Sequence, residues 1–477
     1  MRRRLCLVLV ALALVATGGL IQWRNRRPPD VFVYVIDALR ADHVGCYGYP
    51  RSTTPNIDAF AAEATLYERA HTPATWTRPA VASLLTGLHP NVHGAVTGEG
   101  GLAEWPVLLP EALRPAGYTP YSILANCTIT AEWGFGQGYE RVIGGTKAEP
   151  NGRPEGGGGV WQVDAGWVIG QARKLIGERE DDAPLFLYLH TIEPHAPYQA
   201  GPKAVARFDR GIKGKCDGSG GALWKLDERR HGLSEDDLAH LVDCYDAEVW
   251  EADRWFGKFI AMLKESGRYE DAMIVLVADH GEAFGEHGTL QHGNTLNQEE
   301  LRVPLLIRYP RGWGKGKRMS ARVSLLDLFP TVVGVANAPA TLPYELPGCD
   351  LRPLVRGGDV LGPRPLFAEV CTSASSECHL VGVIDADGYK LVRDVSAVSE
   401  RPSTEASRGL WDTEEDWREL VELEEMLPER AARCDALLSQ WRQTQAARRA
   451  ALSDEGGQRI PVTDEMRREM NALGYLR

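Results

Sequence analysis

The chain has 477 residues, 44% of them hydrophobic, and a formal net charge of −12. That content supplies a packed core and excludes a disordered or repeat protein, and the length suits one large domain with a smaller one beside it. The acidic balance argues against nucleic acid as a partner, because such binding spreads basic surface over a domain. A small anionic substrate stays compatible with it if a metal ion carries the local positive charge.

The first residues read "MRRRLCLVLVALALVATGGLIQWRNRR", with three arginines, an apolar run from Leu5 to Ile21, and a second basic cluster after Trp23. This is a targeting segment rather than part of the fold, and residues 1–29 are set apart as signal peptide or N-terminal membrane anchor. At 17 residues the run is long for a cleaved signal and short for a spanning helix, so cleavage near "VATGG" and retention as an anchor are both open. The body of the chain is expected outside the cytoplasm, periplasmic or held at the inner membrane. Of nine cysteines, Cys6 lies in the leader; the other eight allow 105 pairings, among which Cys371 and Cys378 are the closest in sequence. No Cys/His spacing suggests zinc.

After the linker "RNRRPPD", the run "VFVYVID" reads as a buried parallel strand that ends in Asp37. Two more such runs follow. "PLFLYLHTIEPH" leads into His190, Glu193 and His195, and "AMIVLVADHGE" ends in Asp279 and His280. Between them, Leu241, Tyr245, Val249, Phe256, Phe259 and Leu263 recur at helical spacing within Leu238–Leu263. Alternating strands and helices predict an α/β fold whose large, mostly parallel sheet is sandwiched by helices. Residues 30–355 are assigned to it. The Gly-rich stretch from Gly211 to Gly232 reads as a solvated loop in preference to a substrate lid. From 356 to 477 a smaller C-terminal α+β subdomain is expected. It has a hairpin turning at Asp385–Gly388 and a charged helical stretch over 414–448, broken at Pro428.

In such sheets ligands bind at the carboxyl ends of the strands. Asp37, Asp279 and His280 arrive there together, a set suited to one divalent cation. The segment "ATWTRPAVASLLTGLHP" adds Thr77 at the start of a small apolar helix. Its hydroxyl either caps the helix or stands as a nucleophile where free N–H groups and the dipole favour an anion.

The residues resemble the sulfatases and their relatives in the alkaline phosphatase superfamily. The matching segments are "VIDALRADHVGCYGYPRSTTPNIDAFA", "TRPAVASLLTGLHPNVHG", "HTIEPHAPY", "YDAEVWEADRWFGKFIAMLKESG", "VADHGEAFGEHGTLQHGNTLNQEELRVPLLIRYP", "VSLLDLFPTVV" and "NALGYL", in the family's order. The resemblance implies that Asp37, Asp279 and His280 are metal ligands. It makes Thr77 a nucleophile that also touches the metal, and gives His195 and His292 the task of contacting the anion or leaving group. The cofactor implied is one divalent ion, Mn, Zn or Ca, and not a second. Ala38 replaces a second acidic residue common in the family, which argues against the sphere of a calcium sulfatase. Thr77, Pro79 and Val81 occupy the places of a C-x-P-x-R signature, so conversion to formylglycine is not expected. In its Thr nucleophile the chain resembles the superfamily's phosphodiesterases, nucleotide pyrophosphatases and phosphoglycerol transferases.

The resulting expectation is an exported, metal-dependent hydrolase or transferase of phosphate esters or diesters. Its partner is an anionic ester: a small molecule, a lipid head group or an envelope polymer. Two alternatives stand beside it, a sulfatase working without formylglycine and an inactive anion-binding pseudoenzyme. Glu282, His287 and His190 are read as groups that orient the site, and His89 and His93 as capping or surface residues. Asp236 and His240, spaced i, i+4, mimic half of a second metal site but read better as an acidic helix start.

Overall fold

The computed structural model of the protein describes residues 27–97, 100–144, 163–212, 214, 218, 233–339, 341–357, 362–371, 378–395 and 408–452. The leader, most of the Gly211–Gly232 loop and the closing "NALGYL" lie outside them. Among the described residues no helix is long and apolar enough to cross a membrane.

Val31–Ile36 (β1) is buried at every position, as an unbroken apolar run must be when both faces of its sheet are covered. It lies inside an eight-stranded sheet with Thr65–His71 (β2), Thr119–Leu124 (β3), Arg141–Gly144 (β4), Leu185–Thr191 (β5), Met273–Val277 (β6), Arg302–Arg308 (β9) and Arg318–Ser324 (β10). Ala283–Phe284 (β7) and Leu290–Gln291 (β8) form a separate short hairpin. The order across the large sheet is β10-β2-β9-β6-β1-β5-β3-β4. β1 pairs in parallel with both β5 and β6, and β9 alone runs against its neighbours β2 and β6. The expected mostly parallel sheet is therefore present, with one reversed strand.

The helix Glu235–Glu265 covers one face, a few residues longer than its apolar spacing predicts because Ser234 and Asp237 close a capping box ahead of it. Its Phe256 and Phe259 meet Tyr34 and Phe32 edge-on at ring-centroid distances of 5.3 and 5.9 Å. Each such buried aromatic contributes roughly 1.5–3 kcal/mol relative to exposure. The helix Thr77–Thr86 is buried along its whole length.

A second, antiparallel sheet is built from Leu366–Cys371 (β11), Cys378–Ile384 (β12), Tyr389–Asp394 (β13) and Gly409–Asp412 (β14) in sequence order. A disulfide joins Cys371 to Cys378 across the first pair. The predicted turn falls at Asp385–Gly388: the Asp385 carboxylate accepts from the backbone N–H groups of Asp387, Gly388 and Tyr389, and Gly388 takes φ 104°. The helix Pro428–Leu452 packs Ala431, Cys434, Leu438 and Trp441 on this sheet.

Two expectations are corrected. The stretch 414–427 is not helical: its turns include Glu419 at φ 58°, and the helix starts at Pro428, whose missing N–H costs nothing in a first turn. His89 and His93 are buried, not at the surface. His93 accepts from Ala95 N through Nδ1 at 3.1 Å and donates from Nε2 to Ser83 Oγ at 3.0 Å, while His89 lies edge-on to Trp441 at 5.1 Å. The C-terminal helix covers them, and nothing in the local sequence announces that packing.

Candidate active site

Because β1 and β6 are parallel neighbours, Asp37 and Asp279 emerge side by side at the carboxyl edge, and His280 follows directly. All three are fully buried, and each offers a ligand atom within 4.8 Å of the others'. His280 Nδ1 donates to the Gly281 carbonyl at 2.8 Å, which leaves the lone pair on Nε2. That Nε2 lies 3.5 Å from both Asp37 Oδ1 and Asp279 Oδ2.

These two oxygens are buried with no hydrogen-bond partner. Two such acceptors facing each other are costly unless a cation satisfies them. The electrostatics agree. Burial raises Asp279 well above the ordinary carboxylate range, and the nearby charge of Asp37 raises it further. Burial opposes ionisation of Asp37 too, but His195, His190 and His280 hold it below that range. Ionising both carboxylates of the pair is therefore disfavoured in the bare site, and a dication would offset that repulsion. Asp37, Asp279 and His280 fit a divalent cation. Among the described residues no other group of three metal-ligating side chains lies as close together.

Thr77 is the first residue of its helix and is fully buried. The N-cap position belongs to Trp76, which makes no side-chain capping bond, and Thr77 follows it at the first turn. Its Oγ1 donates to His280 Nε2 at 3.2 Å, which brings the hydroxyl to the edge of the set formed by Asp37, Asp279 and His280.

His195 and His292 meet at the same place. Their ring centroids are 4.8 Å apart, and His292 is 4.3 Å from His280. The two differ in charge preference. Burial lowers His195, more than the carboxylate of Asp37 restores, while its Nδ1 donates to the Ala196 carbonyl at 2.5 Å. His292 is buried too, yet Glu282, 2.9 Å from its Nδ1, raises it above the usual imidazole range. Glu282 therefore orients His292, as its expected supporting role implies. His190 Nε2 donates to Asp37 Oδ2 at 3.1 Å, also as an orienting group. His287 pairs instead with Glu299 at 2.6 Å. Asp236 is exposed in an acidic first turn and His240 faces Cys244 of its own helix at 3.8 Å.

Sequence reasoning passed over two residues. Asn126 follows β3 and donates to Asp37 Oδ2 at 2.7 Å. The signal was available, since "YSILAN" is one more apolar run ending in a polar residue. Arg78, beside Thr77, is fully buried with its guanidinium carbon 3.8 Å from the Trp133 ring centroid. Its burial has no local signature.

The family model described as Sulfatase matches residues 29–338. An arylsulfatase of Clostridium perfringens is 23% identical over 385 residues, covering 69% of this chain and 78% of the relative. The phosphonate monoester hydrolase of Agrobacterium radiobacter superposes with a TM-score of 0.65 at 20% identity, covering 89% and 96% of the two chains. A protein solved with its substrate D-glucosamine-2-N,6-O-disulfate superposes at 0.70 and 18%, covering 90% and 100%.

Proposed function

The chain belongs to the sulfatase family, and on that premise we propose that it is a metal-dependent hydrolase of phosphate esters or diesters with Thr77 as nucleophile. The observation that carries the reading is the 3.2 Å contact between Thr77 Oγ1 and His280 Nε2, inside a buried set of two carboxylates and an imidazole. A divalent cation held by Asp37, Asp279 and His280 supplies charge neutralisation on the transferred group and a lower pKa for the Thr77 hydroxyl.

The chain's own residues do the rest. Thr77 Oγ1 forms a bond to phosphorus as its proton leaves to water, and the bond to the leaving oxygen breaks. His292, whose charged form Glu282 favours, donates the proton that the leaving oxygen takes up. His195, whose charged form burial disfavours, accepts a proton from a water whose oxygen bonds to phosphorus as the Thr77 Oγ1–P bond breaks, and that proton returns to Oγ1, so phosphate leaves and the threonine is regenerated. The dipole of the Thr77–Thr86 helix favours the anionic substrate at its start. Export of the body of the chain, and an anionic ester from the cell envelope as substrate, complete the proposal.

Sulfate esters are the second reading, favoured by the arylsulfatase relative. Against efficient sulfate turnover stands the threonine itself, since a sulfated threonine cannot collapse by the elimination open to a formylglycine hydrate. The test is turnover of matched aryl esters (phosphate monoester, phosphate diester, phosphonate monoester and sulfate) with Mn, Zn or Ca. The expected result is turnover of phosphorus esters, lost by ~10³-fold or more in Thr77→Ala. Preferential sulfate turnover moves the second reading forward. No turnover with any metal supports an anion-binding protein.

A further inference from the structure

The carboxylate of Asp37 is held by more than the proposed cation. Its Oδ2 takes two donors, Asn126 Nδ2 at 2.7 Å and His190 Nε2 at 3.1 Å, while Oδ1 has none. Two donors fix the plane of a carboxylate and use up one oxygen, so the other is presented alone. Asn126 reaches Asp37 from the end of β3, across the intervening strand β5.

Asn126 is itself fully buried and held. Its Oδ1 accepts from both Thr128 N (2.8 Å) and Thr128 Oγ1 (2.7 Å). The carbonyl of Thr128 accepts from Arg78 Nε at 3.0 Å, and Arg78 Nη1 also donates to the carbonyls of Thr97 at 2.6 Å and Gly100 at 3.3 Å. Arg78 is the residue after Thr77. An unbroken run of buried hydrogen bonds therefore connects the start of the Thr77 helix to Asp37, just past the end of β1.

We propose that Asn126 is a positioning residue for the cation: by holding Oδ2 it presents Asp37 as a one-oxygen ligand through Oδ1 and, through Thr128 and Arg78, ties the carboxylate to the Thr77 helix. The proposal rests on Asp37 being a metal ligand. The residue type suits the task. An amide donates to Oδ2 without adding charge, whereas a lysine would compete with the cation and a carboxylate would repel Asp37.

The experiment is equilibrium dialysis of Mn²⁺ alone against the full chain and three variants, with thermal unfolding of each metal-free protein. Asp37→Ala tests the underlying reading and is expected to abolish binding. Asn126→Ala is expected to bind about 10–100-fold more weakly, the usual effect of removing an outer hydrogen bond to a metal ligand. Thr128→Val, which keeps shape and removes one of two donors to Asn126, is expected to weaken binding less while unfolding like the parent without metal. If Asn126→Ala fails to fold, Thr128→Val decides alone. Parental affinity in the Asn126 or Thr128 variant, with binding lost in Asp37→Ala, overturns the positioning role and leaves the cation site standing. Parental affinity in Asp37→Ala overturns both.

Discussion

Glu282 places its Oε1 2.9 Å from His292 Nδ1, with the glutamate fully buried and its other oxygen lacking any hydrogen-bond partner. The pair sits beside the β7/β8 hairpin, 4.3 Å by ring centroids from His280. A histidine so held keeps its proton to higher pH, which is the property that an acid for a leaving oxygen needs.

That yields a pH prediction. Burial opposes the charge on His292 and Glu282 outweighs it, so the folded pKa lies above the ordinary value. The protonated, active form is present below that pKa and is lost as pH rises through it. Glu282→Gln is therefore expected to move the alkaline limb of the kcat profile to lower pH. An unmoved limb would show that His292 is not the acid.

Thr77 gives a chemical prediction. Rapid quench with a phosphate ester is expected to trap one phosphoryl group on the chain, and peptide mapping is expected to place it on Thr77. Thr77→Ser should keep measurable turnover, since it preserves the oxygen, while Thr77→Ala should trap nothing. A label on another residue would remove Thr77 from the mechanism.

The cation should be visible in stability as well. Asp279 carries a burial-raised pKa in the bare site, and an ion that binds only the folded chain stabilises it by about 2.7 kcal/mol at a hundred times Kd. Chelation is expected to lower Tm and Mn²⁺ to restore it in the parent, with neither effect in Asp279→Asn. A Tm indifferent to chelator in the parent counts against the site.

A buried ion pair ties the second sheet to the site. Lys390 on β13 pairs with Glu419 at 2.5 Å and donates to the Leu296 carbonyl, and Asn297 Nδ2 donates to Glu419 Oε2 at 2.9 Å. Leu296 and Asn297 continue the segment that carries His292. Lys390→Met leaves Glu419 buried without its cation, expected to cost about 3–5 kcal/mol in urea unfolding. At temperatures where the variant is folded, turnover is expected to fall as the His292 segment loosens. Unchanged stability would show that water replaces the lysine.

Acid should destabilise the fold through its buried imidazoles. Burial lowers His71, His89 and His93 to about 3 each, so they stay neutral in the folded chain while the unfolded chain takes up protons near pH 6.5. Stability is present above 6.5 and is lost as pH falls toward 3, at up to about 1.4 kcal/mol per pH unit for each group. His93→Gln, compared with the parent from pH 6.5 to 4.5, is expected to show the shallower fall. Equal slopes would mean His93 protonates alike in both states.

The sequence by itself determined the kinds of chemistry and their placement at one sheet edge. Asp37, Asp279 and His280 end apolar runs that only a doubly covered sheet can bury, and ligands gather at the carboxyl ends of such strands. Thr77 was legible for the same reason, as a hydroxyl at the start of a buried apolar helix. The tertiary structure alone decided the pairings. Glu282 holds His292, Asn126 holds Asp37 from 89 residues away, Arg78 lies buried over Trp133, and a C-terminal helix closes over His89. Local periodicity fixes which residues face inward along one strand or helix. The order in which strands lie side by side, and hence which polar side chains meet across them, is set by packing between segments far apart in the chain.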